Sequence, residues 1–217
     1  MRTLRSHLKI SKTIIWDFDG VIADTEPLQE VAFKRTLNSR RISYEDDFFK
    51  RFVGSPEVEI WRRLIAKRAI KEASIPELIS ARSKIYLELA SHIHPAWYVA
   101  PILEESKLLS INNIIVSSGS KHHILTLLSH WGLTEFFSAI YCNGLPEELP
   151  LENKYDRLEF VKTHYAEPFM IIEDNIDYLN WALNANMCTV AIAHSLNVIP
   201  DSGKWAIKLP ISRFASR

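Results

Sequence analysis

The stretch Thr13-Ile14-Ile15-Trp16-Asp17-Phe18-Asp19-Gly20-Val21-Ile22-Ala23-Asp24-Thr25-Glu26 decides the fold. Its apolar run from Thr13 to Phe18 breaks at Asp19 and Gly20, as a buried parallel strand does when it ends in a turn at the edge of its sheet. Asp17 and Asp19 stand two residues apart at that end, so the period-two geometry of a strand turns both carboxylates to one face. Carboxylates that close repel unless a cation or a shared proton compensates, which favours a metal or acid/base site. The carboxyl edge of an open α/β sheet is also where such sheets bind ligands. The plainer alternative is a pair of aspartates capping a turn before a helix.

Outward from this stretch, apolar runs at Asn113 to Ser117, Ala139 to Cys142, Phe169 to Ile172 and Thr189 to Ala193 alternate with helical patterns. That rhythm predicts a parallel sheet. One helix is expected from about Ser120 to Trp131, with Ile124, Leu127, Leu128 and Trp131 on one face and Gly132 as its stop. Another follows Asn175, with Leu179, Ala182 and Leu183 inward and Asn186 in the left-handed closing position. Between the first two strands, Thr25 to Leu109 far exceeds what a crossover needs. This insert reads as helices: Val58, Trp61, Ile65 and Ala69 recur at helical spacing, and Ser74-Ile75-Pro76-Glu77 has the form of a capping box. The expected fold is α/β, a Rossmann-like parallel sheet core of residues 1–24 and 110–217 with an α-helical cap domain over 25–109.

Asp17 to Glu26 resembles the first motif of the haloacid dehalogenase superfamily, D-x-D-G-V/T-x-x-D-S/T-E, and the remaining motifs follow in order. The second is a Ser or Thr closing the next core strand, here Ser118 in Ile114-Ile115-Val116-Ser117-Ser118-Gly119-Ser120-Lys121, with Ser117 as the register alternative. Its hydroxyl, with the Gly119 and Ser120 amides at a helix N-terminus, would bind phosphoryl oxygens. The third is a lysine, Lys154 in Glu152-Asn153-Lys154-Tyr155-Asp156, where many relatives continue with Pro-x-Pro-Asp. The fourth is Phe169-Met170-Ile171-Ile172-Glu173-Asp174-Asn175, similar to the family's Glu-Asp-Ser signature. Relatives usually carry glycine at the positions held here by Tyr178 and Asn186; Asp177 is a substitute acid or a solvated loop residue. The organisation looks most like the β-phosphoglucomutase-like branch, which carries a helical cap at this point.

The resemblance implies a phosphoric monoester hydrolase using Mg²⁺, held by Asp17, Asp174 and the backbone carbonyl of Asp19, with Glu173 acting directly or through water. Asp17 would attack phosphorus to form an aspartyl-phosphate, Ser118 and Lys154 would stabilise the equatorial oxygens, and Asp19 would serve as acid and then base. Dehalogenases of the family lack an acid at the place of Asp19, so phosphoryl chemistry is favoured. Substrate contacts are expected from the cap loop Val53-Gly54-Ser55-Pro56-Glu57 and from Lys121 and His122, with at most one of His122 and His123 facing the site. Sugar phosphomutases of this branch carry an arginine in that loop where this chain has Glu57, which makes a phosphomutase the second reading. A non-catalytic binding protein that kept the fold is the third.

Composition sets the outer bounds. At 217 residues, with Lys plus Arg and Asp plus Glu both 26, the chain can bury a substantial core and carries no global field toward nucleic acid or an anionic membrane. The run Arg62, Arg63, Lys67, Arg68, Lys71 reads as a solvated helix face. Cys142 and Cys188 lack metal spacing, and the opening from Met1 to Lys12 has no apolar core like a signal peptide's. A cytoplasmic enzyme is expected, a monomer or weak homodimer acting on a small phosphorylated metabolite.

Overall fold

The computed structural model describes residues 2–45, 57–67, 75–144, 151–194, 197, 199–200 and 204–212. Two compact units emerge, one of Met1–Asp24 with His94–Arg217 and one of Thr25–Ile93.

The first unit is built on a six-stranded parallel sheet: β1 (Thr13–Trp16), β2 (Asn112–Ser120), β3 (Ala139–Asn143), β4 (Phe169–Glu173), β5 (Cys188–Ala193) and β6 (Ile207–Pro210). Their order is β3-β2-β1-β4-β5-β6, with Trp16 opposite Ile115 on one side and Ile172 on the other. The chain winds outward through β2 and β3, then returns to the far side of β1. Strand order therefore reverses beside β1, and the crevice at the carboxyl ends of β1 and β4 is the topological place for a ligand. The parallel Rossmann-like core expected from the strand-helix rhythm is the observed one. Ile14, Ile15 and Trp16 are buried, each such side chain contributing about 1.5–3 kcal/mol by leaving water.

Alternation along the strands sorts the helices. Ile15, Ile114, Val116 and Ile171 pack with Leu158 and Val161 of α7 (Lys154–His164) and Ala182 of α8 (Ile176–Asn184). On the opposite parity, Trp16 Nε1 donates to Asn113 Oδ1 at 3.0 Å, and Asn113 Nδ2 donates at 2.6 Å to Ser106 Oγ of α5 (Val99–Leu108). That contact corrects the domain boundary: α5 belongs to the core unit, whereas the sequence reading ended the cap at 109. Val99, Ile102 and Leu103 are buried, the Tyr98 hydroxyl donates to Val21 O, and Ala96 N donates to Ile22 O at 2.7 Å. The insert read as helical up to Leu109, which did not say which unit its last helix would meet.

Helix α6 (Lys121–His130) is followed by Gly132 at φ +67°, and Asn186 takes φ +57° after α8, the left-handed stops expected for both. Strand β6 and helix α1 (Arg2–Leu8) were not foreseen; Leu4 and Leu8 of α1 are buried within an otherwise basic opening.

In the second unit every described element is helical: α2 (Glu26–Ser39), α3 (Glu57–Lys67) and α4 (Ile75–Ala90). Their core joins Phe33, Leu37, Ile60, Trp61, Leu64 and Leu78. The inward face of α3 thus runs through Ile60, Trp61 and Leu64, and Val58 of the expected stripe is exposed. Ala69 and Ser74 lie outside the described residues. Buried Arg82 ties the three helices: its Nε is 3.0 Å from Glu57 Oε1, its Nη1 donates to Gln29 Oε1, and its guanidinium lies 4.9 Å from the Phe33 ring centroid. Arg62 and Arg63 of the basic run are exposed, whereas Arg68 and Lys71 lie outside the described residues. No helix among the described residues is long and apolar enough to cross a membrane.

Candidate active site

Asp17 follows the last residue of β1, and its amide continues the ladder by donating to Ile172 O at 3.0 Å. This fixes it beside the end of β4, whose Glu173 is fully buried. Oxygens of Asp17, Glu173 and Asp174 lie within 4.8 Å of one another. One lysine serves two of them: Lys154 Nζ stands 2.8 Å from Asp17 Oδ2 and 2.7 Å from Glu173 Oε2. Lys154 opens α7, whose start is held by a capping box between Asn153 and Asp156, so the helix delivers the ammonium to this point.

A single ammonium does not balance the cluster. Burial first, then the charge of Glu173, raise the Asp17 carboxyl to about 8 against the pull of Lys154. Burial likewise raises Glu173 to about 7. Burial by itself would depress the Lys154 ammonium, but Asp17 and Glu173 outweigh it and hold the proton more firmly than usual. An all-oxygen carboxylate set short of positive charge suits a hard divalent cation, and Asp17, Glu173 and Asp174 are the residues that could hold one.

The remaining site residues fall around this cluster. Glu173 Oε1 accepts from the amides of Asp174 at 3.1 Å and Asn175 at 3.0 Å, which shapes the acidic loop. Asp19 adds to the field that raises Asp17, and its Oδ2 would lie 2.8 Å from a Cβ at Gly119. The first and second motifs thus meet at a position only glycine fills without displacement. Ser118 is exposed, while Ser117 is buried. The Gly119 amide, expected from sequence to face phosphoryl oxygens, donates here to Ser117 Oγ at 2.9 Å. Lys121 and His122 open α6, with His122 exposed and His123 buried, so the two histidines do diverge. Asp177 is exposed and outside the acidic cluster; its amide donates to Asn175 Oδ1 at 2.8 Å.

Two candidates stand apart. Gly54 and Ser55 lie outside the described residues. Glu57 belongs to the second unit, where it also accepts from Trp61 Nε1 at 3.1 Å. Tyr178, at a family glycine position, covers the lysine instead: the Lys154 ammonium is 4.5 Å from its ring centroid. Tyr155 packs against the same ring at 4.8 Å.

Sequence reasoning missed His194 and Asn197, which follow β5. His194 Nε2 is 2.8 Å from Asp174 Oδ2, Asn197 Nδ2 donates to Asp174 O at 3.0 Å, and the His194 amide donates to Asn197 Oδ1 at 2.9 Å. Gly20, at φ +74°, makes room for this: a Cβ there would sit 2.6 Å from Asp174 Oδ2 and 3.1 Å from His194 Nε2. The one signal available was that a strand neighbouring β4 ends in a polar loop.

Fold and acidic crevice together define an open parallel α/β protein with a carboxylate site at the carboxyl edge of its sheet. Residues 14–192 match the haloacid dehalogenase-like hydrolase family, and the chain belongs to it. It is 25% identical over 191 residues to pyrophosphatase PpaX of Oceanobacillus iheyensis, covering 85% of each chain. It is 26% identical over 211 residues to a phosphorylated carbohydrates phosphatase of Thermotoga maritima, covering 92% of this chain and 94% of the relative. Among solved structures, CbbY from Rhodobacter sphaeroides in complex with phosphate superposes with a TM-score of 0.73 at 18% identity, over 92% of this chain and 94% of that one. A β-phosphoglucomutase from Clostridium difficile gives 0.68 at 21% identity, over 91% and 90%.

Proposed function

We propose that this hydrolase is a Mg²⁺-dependent phosphatase of small phosphate monoesters, sugar phosphates or similar metabolites, working through an aspartyl-phosphate on Asp17. The observation that carries this reading is the buried Asp17 carboxyl paired to Lys154 beside Glu173 and Asp174, with the Asp19 carboxyl two residues further on. The relative named as a phosphorylated carbohydrates phosphatase supports the substrate class, and the one named as a pyrophosphatase supports phosphoryl hydrolysis more broadly.

Asp17 attacks phosphorus in line, splitting hydrolysis into two displacements. Bound Mg²⁺ supplies the positive charge that lets an anionic carboxylate approach a phosphate dianion. Lys154 and Ser118 stabilise the equatorial oxygens, with Gly119 giving the loop its close approach to Asp19. Asp19 protonates the leaving alkoxide and then takes a proton from the hydrolytic water. Asp17, Asp174 and the Asp19 carbonyl would hold the cation, with Glu173 acting directly or through water while it also holds Lys154 and shapes the loop. Lys121 and His122, at the start of α6, contact the group that bears the phosphate. The engagement of Glu57 with Arg82 inside the cap favours hydrolysis over a phosphomutase, which would need a second phosphate grip there. Free Cys142 and Cys188 accord with a cytoplasmic, reducing setting.

Release of phosphate from an aryl phosphate and a panel of sugar phosphates, measured with Mg²⁺ and after chelation, tests this reading. Turnover that vanishes on chelation is expected; metal binding without turnover would make the chain a binding protein. His194→Ala is expected to weaken Mg²⁺ binding about 10- to 100-fold by releasing the Asp174 carboxylate, as calorimetric titration would report. His194→Gln, which keeps a nitrogen donor, should recover most of it. Equal affinities in all three proteins would remove His194 from the site.

A further inference from the structure

Arg157 is a buried guanidinium whose hydrogen-bond partners are neutral oxygens: Nη1 donates to Ser117 O at 2.9 Å, and Nη2 to Asn143 Oδ1 at 2.8 Å and Glu152 O at 3.4 Å. Its Nε is buried without a hydrogen-bond partner among the described residues. Burying this cation with one donor unsatisfied is costly, and packing alone would be served as well by an apolar side chain. What the arrangement achieves is local. Asn143, at the end of β3, accepts from Arg157 through Oδ1 and donates through Nδ2 to Ser118 O. Two successive carbonyls at the carboxyl end of β2, where its register with β3 shifts, are thus held by Arg157 directly and through Asn143.

Because a trans peptide is planar, capturing Ser117 O also fixes the direction of the Ser118 amide. Arg157 sits three residues after Lys154 on α7, on the same helical face. One helix therefore places the ammonium at Asp17 and braces the neighbouring loop. We propose that Arg157, with Asn143 as its relay, is a positioning residue that locks the Ser117–Gly119 loop in its phosphate-binding shape and in register with Lys154. The proposal rests on the reading of that loop as the phosphate site.

Inhibition by inorganic phosphate and the KM for an aryl phosphate report loop geometry, while Mg²⁺ affinity reports the acidic cluster. Arg157→Met and Asn143→Ala are each expected to raise both the inhibition constant for phosphate and the KM roughly 10- to 100-fold. Mg²⁺ affinity should stay at the wild-type value. The double variant should be no worse than the more damaged single one, since the two side chains act as one unit. Arg157→Lys, which keeps the charge but lacks the planar fork that spans Ser117 O and Asn143 Oδ1, should recover part of the loss. Asn143 is exposed, so its truncation decides the matter if Arg157→Met does not fold. Folded variants with wild-type phosphate inhibition would overturn the proposal. Ser118→Ala separates the two levels: no effect of that variant on phosphate affinity removes the phosphate-loop reading itself, whereas an effect there with none from Asn143→Ala removes only the role of Arg157.

Discussion

Asp17→Asn is expected to lower turnover of an aryl phosphate roughly 10,000-fold or more while the protein stays folded. An amide has the shape of the carboxyl but cannot displace an alkoxide from phosphorus, so both displacements stop. Folding should survive because the carboxyl is not comfortable where it stands: burial and Glu173 raise it to about 8. Replacing it by a neutral group removes one of the charges that Lys154 must balance, and Lys154 keeps its contact with Glu173 at 2.7 Å. The check is initial rate beside a thermal melt, with mass spectrometry for phosphorylated protein. Wild-type turnover in the folded variant would remove the nucleophile.

Lys154→Met carries the second large effect, and it falls on stability as well as rate. Its ammonium is the partner of two buried carboxylates, and breaking a buried pair on one side costs about 3–5 kcal/mol. The loss should depend on pH. Asp17 and Glu173 have folded values raised to about 8 and about 7, so the folded state binds more protons than the unfolded chain in the range below them. Their contribution to stability is present at low pH and is lost as pH rises through those values. The metal-free wild type is therefore expected to weaken between about pH 5 and about pH 8.5. Without Lys154, which holds both groups down, the decline should be steeper, and Mg²⁺ should recover part of it at the alkaline end. Denaturant midpoints at the two pH values, with and without Mg²⁺, measure this. An equal deficit at both would show that Lys154 matters for packing and not for charge.

Much of the candidate site's geometry was legible because its acidic residues stand in short runs at strand ends. Asp17-Phe18-Asp19-Gly20 and Glu173-Asp174 each follow an apolar run too short for a helix, and strand geometry leaves little choice about where those carboxylates project. Lys154 was readable only as a basic residue at a plausible interval, and its pairing with Asp17 required α7 to be docked. Tyr178 looked like a departure from the family pattern; the fold makes it the surface over the lysine. His194, Asn197, Asn143 and Arg157 carried no local signal, since an isolated polar residue in a loop or helix reads as solvated until its neighbours from distant strands are in place.

The amino-acid order alone determined that a parallel sheet would form, that a helical segment would interrupt it after β1, and that acidic groups would collect at its carboxyl edge. These follow from hydrophobic period and turn chemistry, which act within a few residues. Tertiary structure decided that α5 packs with the sheet, that one lysine is shared between Asp17 and Glu173, and which polar side chains brace the loops. Those outcomes depend on strand order and on the high cost of leaving a buried charge or donor without a partner, and that cost is set only when segments far apart in the chain meet.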